Sequence, residues 1–206
     1  VTNNGTISFN ASFISTLKLN AGTFSNNGTL TLGVGNIATA GTVTLTGTTT
    51  FNSLTLSGAT TLPVGSTING TLTLNMGGSL VSNSPSYGPS ATLVYGKSST
   101  GTGLEWILDA TVGTAGAPEH VTVNSGSTLT LNGTGTYYVD GNLSIAGTVT
   151  MSGSSLLEVD GNMSGAGTFT HGNRKVTFNG TTQTVSMTTT FYDVDVNAST
   201  FTLSGT

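Results

Sequence analysis

Side chains able to do chemistry are scarce in this sequence and fall into two groups. The first is Glu105, Trp106, Asp109, Glu119 and His120, which sets carboxylates on either side of the sole tryptophan. An indole face beside acids is an arrangement that holds a sugar ring, so Trp106, Glu105, Asp109 and Glu119 are candidate carbohydrate-binding residues. Cleavage of a glycosidic bond would need two carboxylates set across it. Eight acids and four bases are spread thinly over 206 residues, and the expectation is that the chain is not an enzyme. The plainer reading of Trp106 is an apolar plug closing a wide turn of chain, with Glu105 pointing outward beside it.

The second group is Asp140 and Asn142 with Asp160 and Asn162. They belong to Val139-Asp140-Gly141-Asn142-Leu143-Ser144 and Val159-Asp160-Gly161-Asn162-Met163-Ser164, which are offset by 20 residues at every position. Stacked one above the other, the two aspartates would stand about 5 Å apart. A calcium ion would relieve that repulsion, with Asn142 and Asn162 adding oxygens. Turn chemistry explains the same residues, because aspartate bonds to backbone amides two residues on. His120 and His171 have no second metal ligand nearby in sequence and read as exposed coil residues. Asp193 and Asp195 alternate with Val194 and Val196, which places both acids on the outer face of one strand.

The elements that position these residues follow from a period of two. Apolar and small polar residues alternate in Gly5-Thr6-Ile7-Ser8-Phe9, Gly28-Thr29-Leu30-Thr31-Leu32, Gly41-Thr42-Val43-Thr44-Leu45 and Gly70-Thr71-Leu72-Thr73-Leu74. That is the pattern of half-buried strands. Gly58, Gly70, Gly133 and Gly180 follow Ser or Asn at the ends of such runs, as does Gly28, and are expected to supply positive φ at sharp corners. No stretch carries an apolar stripe of helical period.

The 20-residue offset extends from Gly147-Thr148-Val149-Thr150 to Gly167-Thr168-Phe169-Thr170. One coil of a parallel β-helix fits this period, and the whole chain would make about ten coils in a rod of about 50 Å. Phe51 and Phe191, each following Thr-Thr, are expected to point inward. The pattern weakens between about residues 81 and 120, where three of the four prolines lie; this window reads as a coil with long excursions. The expected fold is therefore all-β, a right-handed parallel β-helix with about 20 residues per coil. It would be a single stack over residues 1–206 and a section of a longer chain.

Composition narrows the function classes. The chain has 43 Thr, 24 Ser, 18 Asn and 30 Gly, yet charged residues make up only 6%. Lys18, Lys97, Arg174 and Lys175 are the only lysines and arginines, and with a net charge of −4 they cannot neutralise many phosphates. Nucleic acid is not expected as a partner, and no apolar run is long enough to span a membrane as a helix. The lack of cysteine removes disulfides and thiolate metal sites.

Thr92-Leu93-Val94-Tyr95, Gly103-Leu104-Glu105-Trp106 and Pro118-Glu119-His120-Val121-Thr122-Val123-Asn124-Ser125-Gly126 come in a characteristic order. With Gly167 to Gly180, Gln183-Thr184-Val185 and Thr189 to Val196, this order resembles β-helical repeat modules of giant secreted, adhesin-like surface proteins of Bacteroidetes-type bacteria. The resemblance covers roughly Thr92 to Val196. It implies a cargo of type IX secretion, located at the cell surface, that acts as a structural rod, stalk or filament module. The partners expected are copies of itself or neighbouring repeats joined end to end, with surface glycans as a further class. A lesser alternative is ice binding: Thr148 and Thr150 over Thr168 and Thr170 would form a flat threonine array, although Thr-x-Thr pairs in the N-terminal half fall at irregular offsets.

Overall fold

The computed structural model describes residues 1–8, 16–27, 29–31, 35–47 and 50–205. Phe9, Gly28 and Leu32 of the alternating runs lie outside these residues. Among the described residues every element is a strand, and every strand pairing is parallel. The fold is a parallel β-solenoid, as the period-two runs and the 20-residue offset require.

Each coil turns through up to three faces. The first face is the long sheet. It stacks Thr16–Leu19, Asn36–Ala40, Thr50–Ser57, Thr67–Leu74, Thr92–Tyr95, His120–Val123, Leu143–Ile145, Met163–Ser164, Thr182–Val185 and Thr200–Leu203. The second face begins with five strands, from Thr2–Asn3 to Ser79–Ser82, and resumes as Thr128–Leu131, Thr148–Met151 and Thr168–Thr170. The third is clearest as Thr134–Val139, Ser154–Val159, Lys175–Phe178 and Asp193–Val196.

Register along the first face shows what holds the stack together. Ile37 pairs with Leu54, Leu54 with Leu72, Leu72 with Leu93 and Leu93 with Val121. Val121 then pairs with Leu143, Leu143 with Met163 and Met163 with Val185. All eight side chains are buried, so one apolar column runs through the molecule. Strand alternation puts the residues between them, mostly Thr, Ser and Asn, on the outside. Phe51 is buried, and Phe191 packs inward against Phe178 with ring centres 5.7 Å apart.

The coil length is not constant. Register steps of 20 residues connect Thr16 to Asn36 and Leu143 to Met163, but Asn36 pairs with Ser53 and Thr92 with His120. The irregular window is also narrower than residues 81–120, because Ser86–Tyr87 and Thr92–Tyr95 are regular rungs. The excursion runs from 96 to 119.

The corner glycines need correcting. Of Gly58, Gly70, Gly133 and Gly180, only Gly133 has positive φ, at 131°. The other three are glycine because a Cβ would collide with the backbone of the coil beneath: with Gly41 at Gly58, with Asn52 at Gly70 and with Asp160 at Gly180. The repeat glycines behave alike, since a Cβ on Gly161 would strike Gly141 and one on Gly167 would strike Gly147. Gly161→Ala is therefore expected to cost about 1–3 kcal/mol, and Gly5→Ala, whose Cβ would meet nothing within 4 Å, less than about 0.5 kcal/mol. Urea unfolding of the two variants checks the contrast.

Candidate functional site

The excursion brings the first group of residues together, but as a packed plug. Trp106 is 1% exposed and Glu105 4%. The Trp106 indole N–H donates to the Tyr138 carbonyl at 3.0 Å, and its ring meets Tyr137 edge-on at 5.2 Å. The tryptophan fills the widened coil, so its face offers no platform to a sugar in this structure. The outward placement expected for Glu105 is overturned. Its Oε1 accepts the Tyr95 hydroxyl at 3.1 Å and the Gly103 N–H at 2.9 Å, while Tyr87 donates to its carbonyl. In so small a polar core, a carboxylate is kept inside because donors reach it from the Thr92–Tyr95 rung and from the excursion that follows it. Burial first, and then the Glu105 charge, push the Tyr87 and Tyr95 phenols well above their ordinary value, which keeps both as donors.

Asp109 is exposed and acts as a substitute rung. Its N–H donates to the Thr136 carbonyl and its Oδ1 accepts the Thr136 N–H, both at 2.8 Å. It thereby pairs the excursion with the third-face strand Thr134–Val139, and its φ of 60° belongs to that turn. Glu119 lies at the other end of the excursion, where its charge acts on Asp140. The four residues expected to bind carbohydrate are thus divided among a core, a rung and a corner.

The second group does assemble. Val139 pairs with Val159, so Asp140 and Asp160 follow in step at the corner between the third and first faces. The asparagines beyond them form a ladder. Asn142 N–H donates to His120 Nδ1 at 2.8 Å, Asn162 N–H to Asn142 Oδ1 at 2.8 Å, and Thr184 N–H to Asn162 Oδ1 at 2.7 Å. Asn142 and Asn162, expected to add oxygens beside a calcium ion, each use the amide oxygen to cap a backbone N–H of the next coil. His120 is the foot of that ladder and not simply an exposed coil residue. Among the described residues, no group of three or more His, Cys, Asp or Glu side chains is placed to hold a metal ion.

Asp140 and Asp160 differ from their neighbours. One oxygen of each is buried without a hydrogen-bond partner. Burial, then the charges of Glu119 and Asp160, push the Asp140 carboxyl up to about 6, and burial raises Asp160. Glu158 is raised by burial and by Asp160, and its Oε1 accepts the Asn179 amide. Asp193 and Asp195 are exposed as expected, and Asp195 pairs with Lys175 at 2.7 Å.

The outer surfaces are the third feature. On the second face Thr128, Thr148 and Thr168 stand in register, as do Thr130, Thr150 and Thr170. The residues between them, Leu129, Val149 and Phe169, are buried, so the six threonines form two straight columns facing out. The first face carries Ser53, Thr71 and Thr92 in register, with Thr55 and Thr73 beside them.

Gln183 went unrecognised as a structural residue in the sequence. It is fully buried; its amide donates to Val159 O at 2.7 Å and Gly161 O at 2.6 Å, and its Oε1 accepts Gly180 N–H at 2.9 Å. A lone glutamine among threonines carries no local signal of such a staple.

No protein-family model matches this chain, and neither the curated proteins nor the solved structures contain a significant match.

Gln183→Ala removes a buried group with three bonds and is expected to cost about 2–4 kcal/mol. Asn162→Ala removes one exposed acceptor and is expected to cost about 0.5–1.5 kcal/mol. Equilibrium denaturation of both variants checks the order.

Proposed function

We propose that the chain is a rod or stalk module of an extracellular bacterial surface protein. The observation that carries this reading is the apolar column from Ile37 to Val185, which stays in register across coils of unequal length. A stack of this kind gains stability from each nearest-neighbour interface and grows in one dimension. The ten first-face strands correspond to a length of about 45 Å. A surface of neutral hydroxyls and amides suits a spacer, since it neither attracts nor repels strongly charged neighbours. The partner proposed for such a stack is another coil, from a neighbouring repeat or a second copy.

One observation favours a second reading. The two threonine columns of the second face repeat at the strand spacing along the axis and at about 6.7 Å along each strand. They form a rigid lattice of hydroxyl and methyl groups, as an ice-binding face requires.

Two measurements separate these readings. In electron micrographs the native polypeptide is expected to form thin rods or to be part of one; compact particles of equal dimensions would contradict the stalk. Thermal hysteresis at high protein concentration that is abolished by Thr150→Lys would instead support ice binding, and its absence removes that reading.

A further inference from the structure

One column of side chains at the corner before the first face has an unfilled need. Register carries it upward from Asp140 to Asp160 to Asn179, since Val139 pairs with Val159 and Val159 with Phe178. Below Asp140 lies Glu119, whose carbonyl accepts the Gly141 N–H. The upper end of the column is satisfied: Asn179 donates to Glu158 at 3.2 Å and accepts from Asn197 at 3.2 Å. The middle is not, because Asp140 Oδ1 and Asp160 Oδ1 are both buried and neither meets a donor. Two acceptors stacked at the strand spacing lack one thing between them, a hydrogen-bond donor.

We propose that Asp140 and Asp160 form a proton-binding site, in which one proton taken from solvent resides on one carboxyl and is donated to the other, clamping two adjacent coils. No covalent bond changes, and the pair goes from two negative charges to one. The resulting O–H···O⁻ bond has an ionised acceptor and belongs to the stronger class of hydrogen bonds.

The surroundings favour uptake. Glu119 faces Asp140 from the coil below, burial alone raises Asp160, and the Asp160 charge in turn raises Glu158 on the third-face strand. The Gly113 N–H, from the excursion, is the one neighbour that favours the charged form of Asp140. His120, at the start of the first-face strand, presents Nδ1 as an acceptor to Asn142 N–H. Lys175 is engaged with Asp195 and Arg174 with the Asn173 carbonyl, so neither cation is bonded to the pair.

The direction of the pH effect follows from linkage. In the unfolded chain an aspartate titrates near about 3.9, whereas in the folded chain Asp140 titrates at about 6. The folded state binds the proton more tightly, so the contribution is complete below the unfolded value and is lost as pH rises through the folded one. The corner is strengthened by mild acid and loosened near neutrality.

The test is the melting temperature of the whole chain at about pH 7.5 and about pH 5, for the wild type, Asp140→Asn, Asp160→Asn and a His120→Asn control. The wild type is expected to gain several degrees on acidification. Either aspartate variant supplies a permanent amide donor, so it is expected to match or exceed the wild type near neutrality and to lose most of the acid gain, while His120→Asn keeps it. An acid gain undiminished in both aspartate variants would overturn the proposal, as would a wild-type melting temperature that falls on acidification. A third arm adds calcium chloride or a chelator near neutrality. Calcium stabilisation of the wild type that both aspartate variants lose would make the occupant a metal ion and overturn the shared proton; no calcium effect supports it.

Discussion

The whole structure depends on one constraint, the spacing of about 4.8 Å between parallel strands of neighbouring coils. At that distance every side chain meets its equivalent from the next coil, so a residue is tolerated only if it stacks on whatever lies beneath. Leu72 on Leu93 on Val121 is the favourable case, burying apolar surface at each step. At the corners the same spacing leaves no room for a Cβ, which is why Gly161 sits over Gly141 and Gly167 over Gly147. Polar residues satisfy the rule by bonding upward, as Asn142 does to the Asn162 N–H. Stacked carboxylates break it, and Asp140 over Asp160 is where the break is found.

The excursion from 96 to 119 shows how such a stack accommodates an inserted segment. The first face does not register it at all: Thr92 pairs with His120 across the longest coil of the series. The extra chain is held by a few strong attachments, namely Trp106 in the core, Glu105 between two tyrosines and Asp109 on Thr136. Residues whose types suggest sugar chemistry are used here to close a wide coil. That is a structural explanation for a buried acid that would otherwise be costly.

How legible this was in the sequence depended on the range of the interaction. Alternation over four or five residues marked the strands, and the offset between Val139 and Val159 marked the coil, because both patterns are written in single runs of chain. The reason for the glycines was misread: a turn needing positive φ and a corner needing empty space call for the same residue, and only the stacked backbone tells them apart. Glu105 was placed outward because strand alternation gives no orientation in an irregular loop. The bonds of Gln183 to Val159 and Gly161, and the step from His120 to Asn142 to Asn162, span about one coil each and leave no local trace. Stacking of Asp140 on Asp160 was readable, but its burial was not.

The central claim is that the solenoid runs in register straight past the excursion, with Val94 directly over Thr122. Because the chain has no cysteine, an engineered pair reports on this directly. Val94→Cys with Thr122→Cys would lie within the Cα separation of about 4.4–6.8 Å that a disulfide spans, whereas Val94→Cys with Ser144→Cys, two coils apart, would not. The account predicts that mild oxidation of the folded protein closes the first pair almost completely and leaves the second open. Failure of the first pair to close, or equal closure of both, would contradict it.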